Sequence, residues 1–480
     1  MPTLHAGVGR RIINPPLGIK TFGFSSREGV VQAIESDLSA TALVLSDEMA
    51  RVVIIATDTG WLAWEVMNDL RRRVGEAVGT PASHVMINLN HTHSSPSMPA
   101  WCPDEPDQIA LQSNYQDDLC RWIIEAAEKA NECLEPARIG ADWGESHIGV
   151  YRREKDADGN VFLGEVPDHP IDTSVGVIRV DDLNGQPLAT LFSYGCHTVT
   201  IGPRALVASP DFPGASRALI ENSIGGKAMF LQACGGNIMP QGGLNMAIDC
   251  RDEKTRVGQM LGAEVVKVAS AIRTHIQRGE RTVMGSLSKI SVWPWEPVTG
   301  DSCTYLGAVE EVLPLRFIEM PSLEEAKVIR DECHDALDTA RTSGARDWEI
   351  NVNTRFADWS DKLVEAIETN RQTLDVSIQA IRINDIVLAN SSTETLFETG
   401  LTIKARSPFP YTQVLGYSNG CVSYLPRAED FPPGGWDIHK RWYGVPDLLF
   451  QAYSLPTAIH PDSEQQVIDR TLALLDQLNV

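Results

Sequence analysis

Short apolar runs rich in β-branched residues stand so close together in this chain that several must pair as sheet neighbours. That proximity constrains the fold more than any other feature. Thr41–Ser46 (TALVLS) and Arg51–Asp58 (RVVIIATD) flank Asp47-Glu48 and predict an antiparallel hairpin. Val175–Val180 and Pro187–Tyr194 flank the turn signal Asn184-Gly185, and Asp375–Asn390 reads as a hairpin turning at Asn384-Asp385. His84–Leu89 and Lys227–Gln232 have the composition of buried strands. Helical patterns alternate with these runs: Trp61–Val78, Asp117–Cys133, Asp252–Gln277, Leu323–Thr342 and a last helix opening at Pro461-Asp462. In Asp252–Gln277, the side chains Val257, Leu261, Val265, Val268 and Ile272 trace one face. The expectation is an α/β protein, a large single domain of mixed β-sheets layered with α-helices. No repeat, low-complexity tract or linker divides the chain, so residues 1–480 read as one domain. SVWPWEPVTG, Ser291–Gly300, reads as a surface loop.

Charge and length narrow the function classes. With 41 basic and 64 acidic residues the net charge is −23, which argues against nucleic-acid or anionic-membrane partners, since both need a basic face. No run approaches the roughly 18 consecutive apolar residues of a membrane span. The N-terminus, MPTLHAGVGRRIINPPLG, has no apolar core of a secretory signal. Nine scattered cysteines without a CxxC pair favour a reducing, cytoplasmic setting over a disulfide framework. A small-molecule substrate is the expected partner, with homo-oligomerisation left open.

Four segments carry candidate chemistry. NLNHTHSSPS, Asn88–Ser97, follows a buried strand. In extended backbone, residues two apart point to one side, so His91 and His93 would present two imidazoles together. Such a pair suits a transition metal and equally suits two polar loop histidines. His197, in SYGCHTVTIGPRALVASPDFPGAS, also follows a strand; the downstream Asp211 and Pro213 read as a helix cap and first turn. FLQACGGNIMPQGG, Phe230–Gly243, runs a strand into Gly235-Gly236-Asn237. There backbone N–H groups could approach a ligand, or the glycines could simply make a tight turn. Cys234, at the end of an apolar strand, reads as a buried inert thiol. The last segment, Ser392–Pro426, holds Glu394, Glu398, Lys404, Arg406, Tyr411, Tyr417 and Tyr424. On a helix, Glu394 and Glu398 would share a solvated face.

Taken in order, these segments resemble the neutral/alkaline (non-lysosomal) ceramidase family. AGVGRRIINPPLG (Ala6–Gly18) is similar to that family's opening, HTHSSP to its HTHSGP, and GVYRREKDADGNVFLG (Gly149–Gly164) to a recurrent stretch. GLTIKARSPFPYTQVLGYSNGCVSYLP is similar to its C-terminal catalytic segment and is the most specific. The resemblance implies a ceramidase-like catalytic domain and a zinc amidohydrolase with Zn2+ held by His91, His197, Glu394 and Tyr424. It assigns His93 and Arg152 to polarising or positioning the substrate.

Three departures qualify what the resemblance implies about substrate. Met239 stands where the family has a Ser, Trp436 where it has a second Tyr, and the chain ends at Val480 without the family's C-terminal sandwich. The expected reaction is hydrolysis of a linear or cyclic amide of a small soluble molecule by metal-activated water. An esterase or lactonase on the same site, or a non-catalytic ligand-binding member, are the alternatives.

Overall fold

Ser39–Ser46 and Arg51–Thr57 pair antiparallel, from Ala40 opposite Thr57 to Ser46 opposite Arg51, as their spacing predicts. Successive residues of these strands enter different cores. Ala40, Ala42, Val44, Val53 and Ile55 join one apolar cluster, whereas Leu43, Leu45, Val52 and Ile54 join another. A strand buried on both faces needs an unbroken apolar run, which is what VVIIA supplies. The computed structural model describes residues 3–99, 106–157, 161–242, 248–285, 287–300, 302–431 and 450–480.

The hairpin lies in an eight-stranded mixed sheet. Its spatial order is Lys227–Gln232, Pro187–Tyr194, Ser174–Asp182, Glu135–Glu145, His5–Ile12, Ser39–Ser46, Arg51–Thr57 and Val85–Leu89. A four-stranded sheet of Leu306–Arg316, Thr373–Ile383, Ile386–Ser391 and Tyr411–Leu415 packs against it. Leu43, Ile54, Met86, Leu191 and Leu231 from the first sheet meet Ile381, Leu388 and Leu415 from the second. Helices cover both outer faces. Trp64–Val78 and Pro106–Glu132 contribute Leu70, Val74, Leu119 and Ile123 to one cluster; Phe212–Ile224 and Arg251–Ala271 contribute Phe212, Ile220, Val257 and Leu261 to another. On the four-stranded sheet, Leu323–Thr342, Asp347–Glu368 and Ser463–Leu478 bury Ile329, Trp359, Leu363 and Leu475. The order is therefore helices, sheet, sheet, helices.

The large sheet coils enough that its edges meet. Across the seven neighbouring pairs of an eight-stranded sheet, a twist of roughly 20–25° per pair accumulates to about half a turn. Asn88 on one edge strand donates to the Gln232 carbonyl at 3.2 Å and accepts from the Gln232 amide at 2.7 Å on the other. Isolated bridges Asn88–Ser418 and Ala233–Leu415 tie the smaller sheet to the same place.

Several boundaries differ from the sequence reading. The helix expected over Asp252–Gln277 ends at Ala271, where Ile272 turns extended, and Ile276–Arg278 is a strand. Ser291–Gly300 is not a plain loop: Ile290–Val292 and Trp295–Pro297 are strands that pair back on Thr282–Met284 and Ile276–Arg278. The Asp347–Glu368 helix was not anticipated. The eight described cysteines are all free. No helix among the described residues is long and apolar enough to cross a membrane.

The His5–Ile12 strand runs under the Pro106–Glu132 helix closely enough that a Cβ on Gly9 would lie 2.1 Å from the Ala126 carbonyl oxygen. Backbone cannot yield cheaply there. Gly9→Ala is expected to destabilise the chain by about 1–3 kcal/mol, the usual cost of overpacking. Chemical denaturation with an unchanged m-value checks it.

Candidate active site

Polar chemistry gathers where strands of both sheets end. Val85–Leu89 leads to His91, Pro187–Tyr194 to His197, Lys227–Gln232 to the Gly235–Asn237 turn, Ile386–Ser391 to Glu394, and Tyr411–Leu415 to Tyr417. Glu394 lies on a two-residue strand directly opposite Tyr424, so it does not share a helix face with Glu398. Segments far apart in sequence thus meet at one buried point.

Each imidazole is aimed by a backbone carbonyl. His91 Nδ1 bonds the Gly60 oxygen at 2.8 Å, and His197 Nδ1 bonds the Gly235 oxygen at 2.8 Å. A carbonyl only accepts, so each ring keeps a proton on Nδ1 and turns its Nε2 inward. His91 Nε2 lies 3.5 Å from one Glu394 carboxylate oxygen and His197 Nε2 lies 3.1 Å from the other. Burial lowers the pKa of His91 to about 4, against the pull of Glu394. Burial would raise the Glu394 carboxyl, yet His91, His197 and Tyr453 hold it down at about 2. At neutral pH the centre therefore presents a neutral His91 beside the Glu394 carboxylate.

His93 sits beside this pair, its ring centroid 5.1 Å from His91 and 5.8 Å from His197. Both its ring nitrogens are withdrawn from solvent without a hydrogen-bond partner among the described residues, and burial pushes its pKa well below the ordinary value. The two histidines meet as the sequence suggests but for a different reason. His91 has φ +59°, a left-handed turn and not an extended strand end.

The rest of the cluster sorts as follows. Arg152, on the buried side of Gly149–Lys155, donates through Nη2 to the Gly236 carbonyl and, at 3.0 Å, to the Tyr424 hydroxyl. The Tyr424 hydroxyl is 3.4 Å from His197 Nε2. The sequence reading missed Tyr453, whose hydroxyl donates to Glu394, and the role of Tyr417, which donates to its other oxygen at 3.3 Å. It also missed Cys421, whose sulfur lies 3.5 Å from the Tyr453 hydroxyl. Only the nearness of Cys421 to Tyr424 in the chain could have flagged it. Asp211 caps the Phe212–Ile224 helix, accepting from the Phe212 amide at 2.6 Å. Burial raises the Cys234 thiol to about 12, which fits an inert side chain. Trp436 lies outside the described residues.

In the glycine turn the Gly236 amide is engaged within the chain. Gly236 donates its N–H to the Thr395 carbonyl, and a Cβ on it would lie 2.8 Å from the Glu394 oxygen. Its function is to let the Glu394 segment approach, while the turn's carbonyls hold His197 and Arg152.

The donor set fits a metal ion. Ring nitrogens of His91, His93 and His197 all lie within 4.8 Å of one another, as do ligand atoms of His91, Glu394 and Cys421. Two inward-facing Nε2 atoms, a carboxylate and the nitrogens of His93 are the donors that a nitrogen-and-oxygen metal site requires.

A scan against protein-family models returns no match. Neutral ceramidase A of Dictyostelium discoideum is 26% identical over 261 residues, covering 51% of this chain and 36% of that protein. A neutral ceramidase of Pseudomonas aeruginosa is 23% identical over 229 residues, covering 45% of this chain and 34% of its own length. Among solved structures, a ceramidase complexed with C2 superposes with a TM-score of 0.69 at 15% identity, covering 100% of this chain and 76% of that one. The crystal structure of the Pseudomonas aeruginosa neutral ceramidase gives 0.66 at 18%. The chain carries a neutral ceramidase-like domain. Sequence similarity to this ceramidase-like domain spans about half the chain, and the match spans about a third of the curated relatives' length.

Behind the ceramidase-like centre, Asp58 fixes the loop that carries His91. Its carboxylate accepts from Asn90 at 2.8 Å, from the Ser39 amide at 2.7 Å, and from both Arg217 terminal nitrogens at 2.7 and 2.6 Å. Asp58→Ala leaves the buried Arg217 guanidinium uncompensated. It is expected to cost about 3–5 kcal/mol, more than Asp58→Ala with Arg217→Met together. Urea midpoints of the single and double variants check it.

Proposed function

We propose that this protein is a zinc-dependent amidohydrolase acting on a carbon–nitrogen bond. The observation that carries the reading is the convergence of His91 Nε2, His197 Nε2 and the Glu394 carboxylate from three separate strand ends. The relatives named above, neutral ceramidases, point the same way. His91, His197, Glu394 and Tyr424 would hold the ion. When bound, zinc supplies Lewis acidity, lowering the pKa of water and polarising a carbonyl.

The chain's own groups supply the rest. The Gly60 and Gly235 carbonyls keep the protons on Nδ1 of His91 and His197, so their Nε2 atoms stay available as donors. Arg152 positions the Tyr424 hydroxyl. His93, neutral and without a hydrogen-bond partner among the described residues, can donate or accept a hydrogen bond at the substrate carbonyl or attacking water. Tyr417 and Tyr453 orient the Glu394 carboxylate.

His91 and His93 separate in a direct test. His91→Ala is expected to cost bound zinc and turnover together, because a ligand is lost. His93→Ala is expected to retain most of the zinc and to lower turnover by roughly 10²–10⁴-fold. Elemental analysis and rates on both variants decide it. Equal zinc loss in the two would make His93 a ligand and remove that role from Tyr424.

For substrate, the reading favours a small soluble amide. Met239 occupies the family's Ser place as a buried member of an apolar cluster with Val150 and Val199, against which Phe24 packs. No hydroxyl is available there. Long-chain ceramide is expected to turn over more slowly than the best short N-acyl amide of a panel. Equal or faster ceramide hydrolysis would assign this chain the substrate in its relatives' names, and preferential cleavage of matched esters would favour the esterase reading.

A further inference from the structure

Between the Arg251–Ala271 helix and the Leu306–Arg316 strand the chain forms a two-stranded arm. Ile276–Arg278 pairs with Trp295–Pro297, and Thr282–Met284 pairs with Ile290–Val292, each as a separate two-stranded sheet. Ribbons of this size are marginal in water by themselves. The surface of this one is apolar: Val283, Met284 and Ile290 are 59%, 62% and 60% exposed, Leu287 is fully exposed, and Trp293 and Trp295 are about half exposed. Met284 stands opposite Ile290, while Val283 faces the other side, opposite Ser291. Both faces of the ribbon therefore offer apolar surface for burial.

The arm is also basic on an acidic chain. Residues 273–298 hold Arg273, Arg278, Arg281 and Lys289 against Glu280 and Glu296, while the whole chain carries −23. Arg273 lies 4.2 Å from the Trp295 ring centroid, Arg278 lies 5.6 and 5.9 Å from Trp293 and Trp295, and Arg281 lies 5.6 Å from Trp293. Among the described residues none of these four cations forms an ion pair. Cations stacked on exposed indoles, without carboxylates of their own, are arranged to meet an acidic surface.

We propose that this arm is an assembly surface that lies against the acidic surface of a second copy of the same chain. Charge complementarity selects that partner, since every copy offers 64 carboxylates to 41 bases. A two-fold arrangement would bury both arms in equivalent contacts and leave neither exposed. A bilayer is the poorer occupant. The ribbon has open backbone edges that hydrocarbon cannot satisfy.

Sedimentation equilibrium of the full chain tests this. The wild type is expected at twice the chain mass at micromolar concentration. Met284→Glu with Ile290→Glu is expected at the single-chain mass with an unchanged circular dichroism spectrum, because neither side chain belongs to a core. Should that variant misfold, Arg278→Glu with Arg281→Glu decides: it keeps the apolar surface and is expected to weaken the dimer by roughly tenfold or more. A wild type at the single-chain mass, or a dimer that both variants leave intact, overturns the proposal. So does co-sedimentation of the wild type with phosphatidylcholine–phosphatidylglycerol vesicles that the Met284/Ile290 variant abolishes.

Discussion

Where the two larger β-sheets face each other, their strands are buried on both faces, and that constraint decides where polar chemistry can stand. Each is sandwiched between the other sheet and a helical layer, so along Ser39–Ser46 or Ile386–Ser391 every residue is buried. Apolar side chains fill nine of these fourteen positions because a buried polar group without a partner is costly. Four of the five polar side chains, Ser39, Ser46, Asn390 and Ser391, stand at or beside the strand ends. The coiling that brings Val85–Leu89 beside Lys227–Gln232 stacks those ends at one place, where the Asn88 side-chain amide satisfies both backbone groups of Gln232.

The same economy explains the local chemistry. A buried imidazole is tolerated when one nitrogen is hydrogen-bonded, and a backbone carbonyl does this without introducing charge. His91 and His197 both follow that pattern. Glu394 is tolerated because two imidazoles and two phenols surround its oxygens. His93 is the exception, with both nitrogens dry and unsatisfied. An exception of this kind inside an otherwise satisfied network is where an absent ion or substrate would be expected to bond.

Much of this was legible in the sequence, and unevenly. The hairpins were visible because period and turn residues are local: Asn384, with φ +56°, takes the left-handed turn its type tolerates. The four chemical segments were visible as strands running into His, Gly or Glu. What the sequence hid depended on tertiary packing. Tyr453 reaches Glu394 from 59 residues away, and no spacing rule connects them. The Gly235-Gly236 pair looked like an amide cradle, but its glycines serve close approach between the His197 and Glu394 loops, a contact only the fold creates. The exposed arm was hidden for the opposite reason: Pro294 and Pro297 punctuate its return strand and disguise the pairing.

The departures from the ceramidase pattern then separate two kinds of position. His91, His197 and Glu394 carry hydrogen bonds that fix them, so changing one leaves other buried groups unpaired. Met239 is different. Its side chain packs with Val150 and Val199, a setting in which a serine hydroxyl would need a partner and a thioether needs none. Replacement there is inexpensive for folding and alters only what a substrate meets. On the proposed reading, the ion-holding groups are therefore tied to the stability of the fold, while the wall around them is free to change with the substrate.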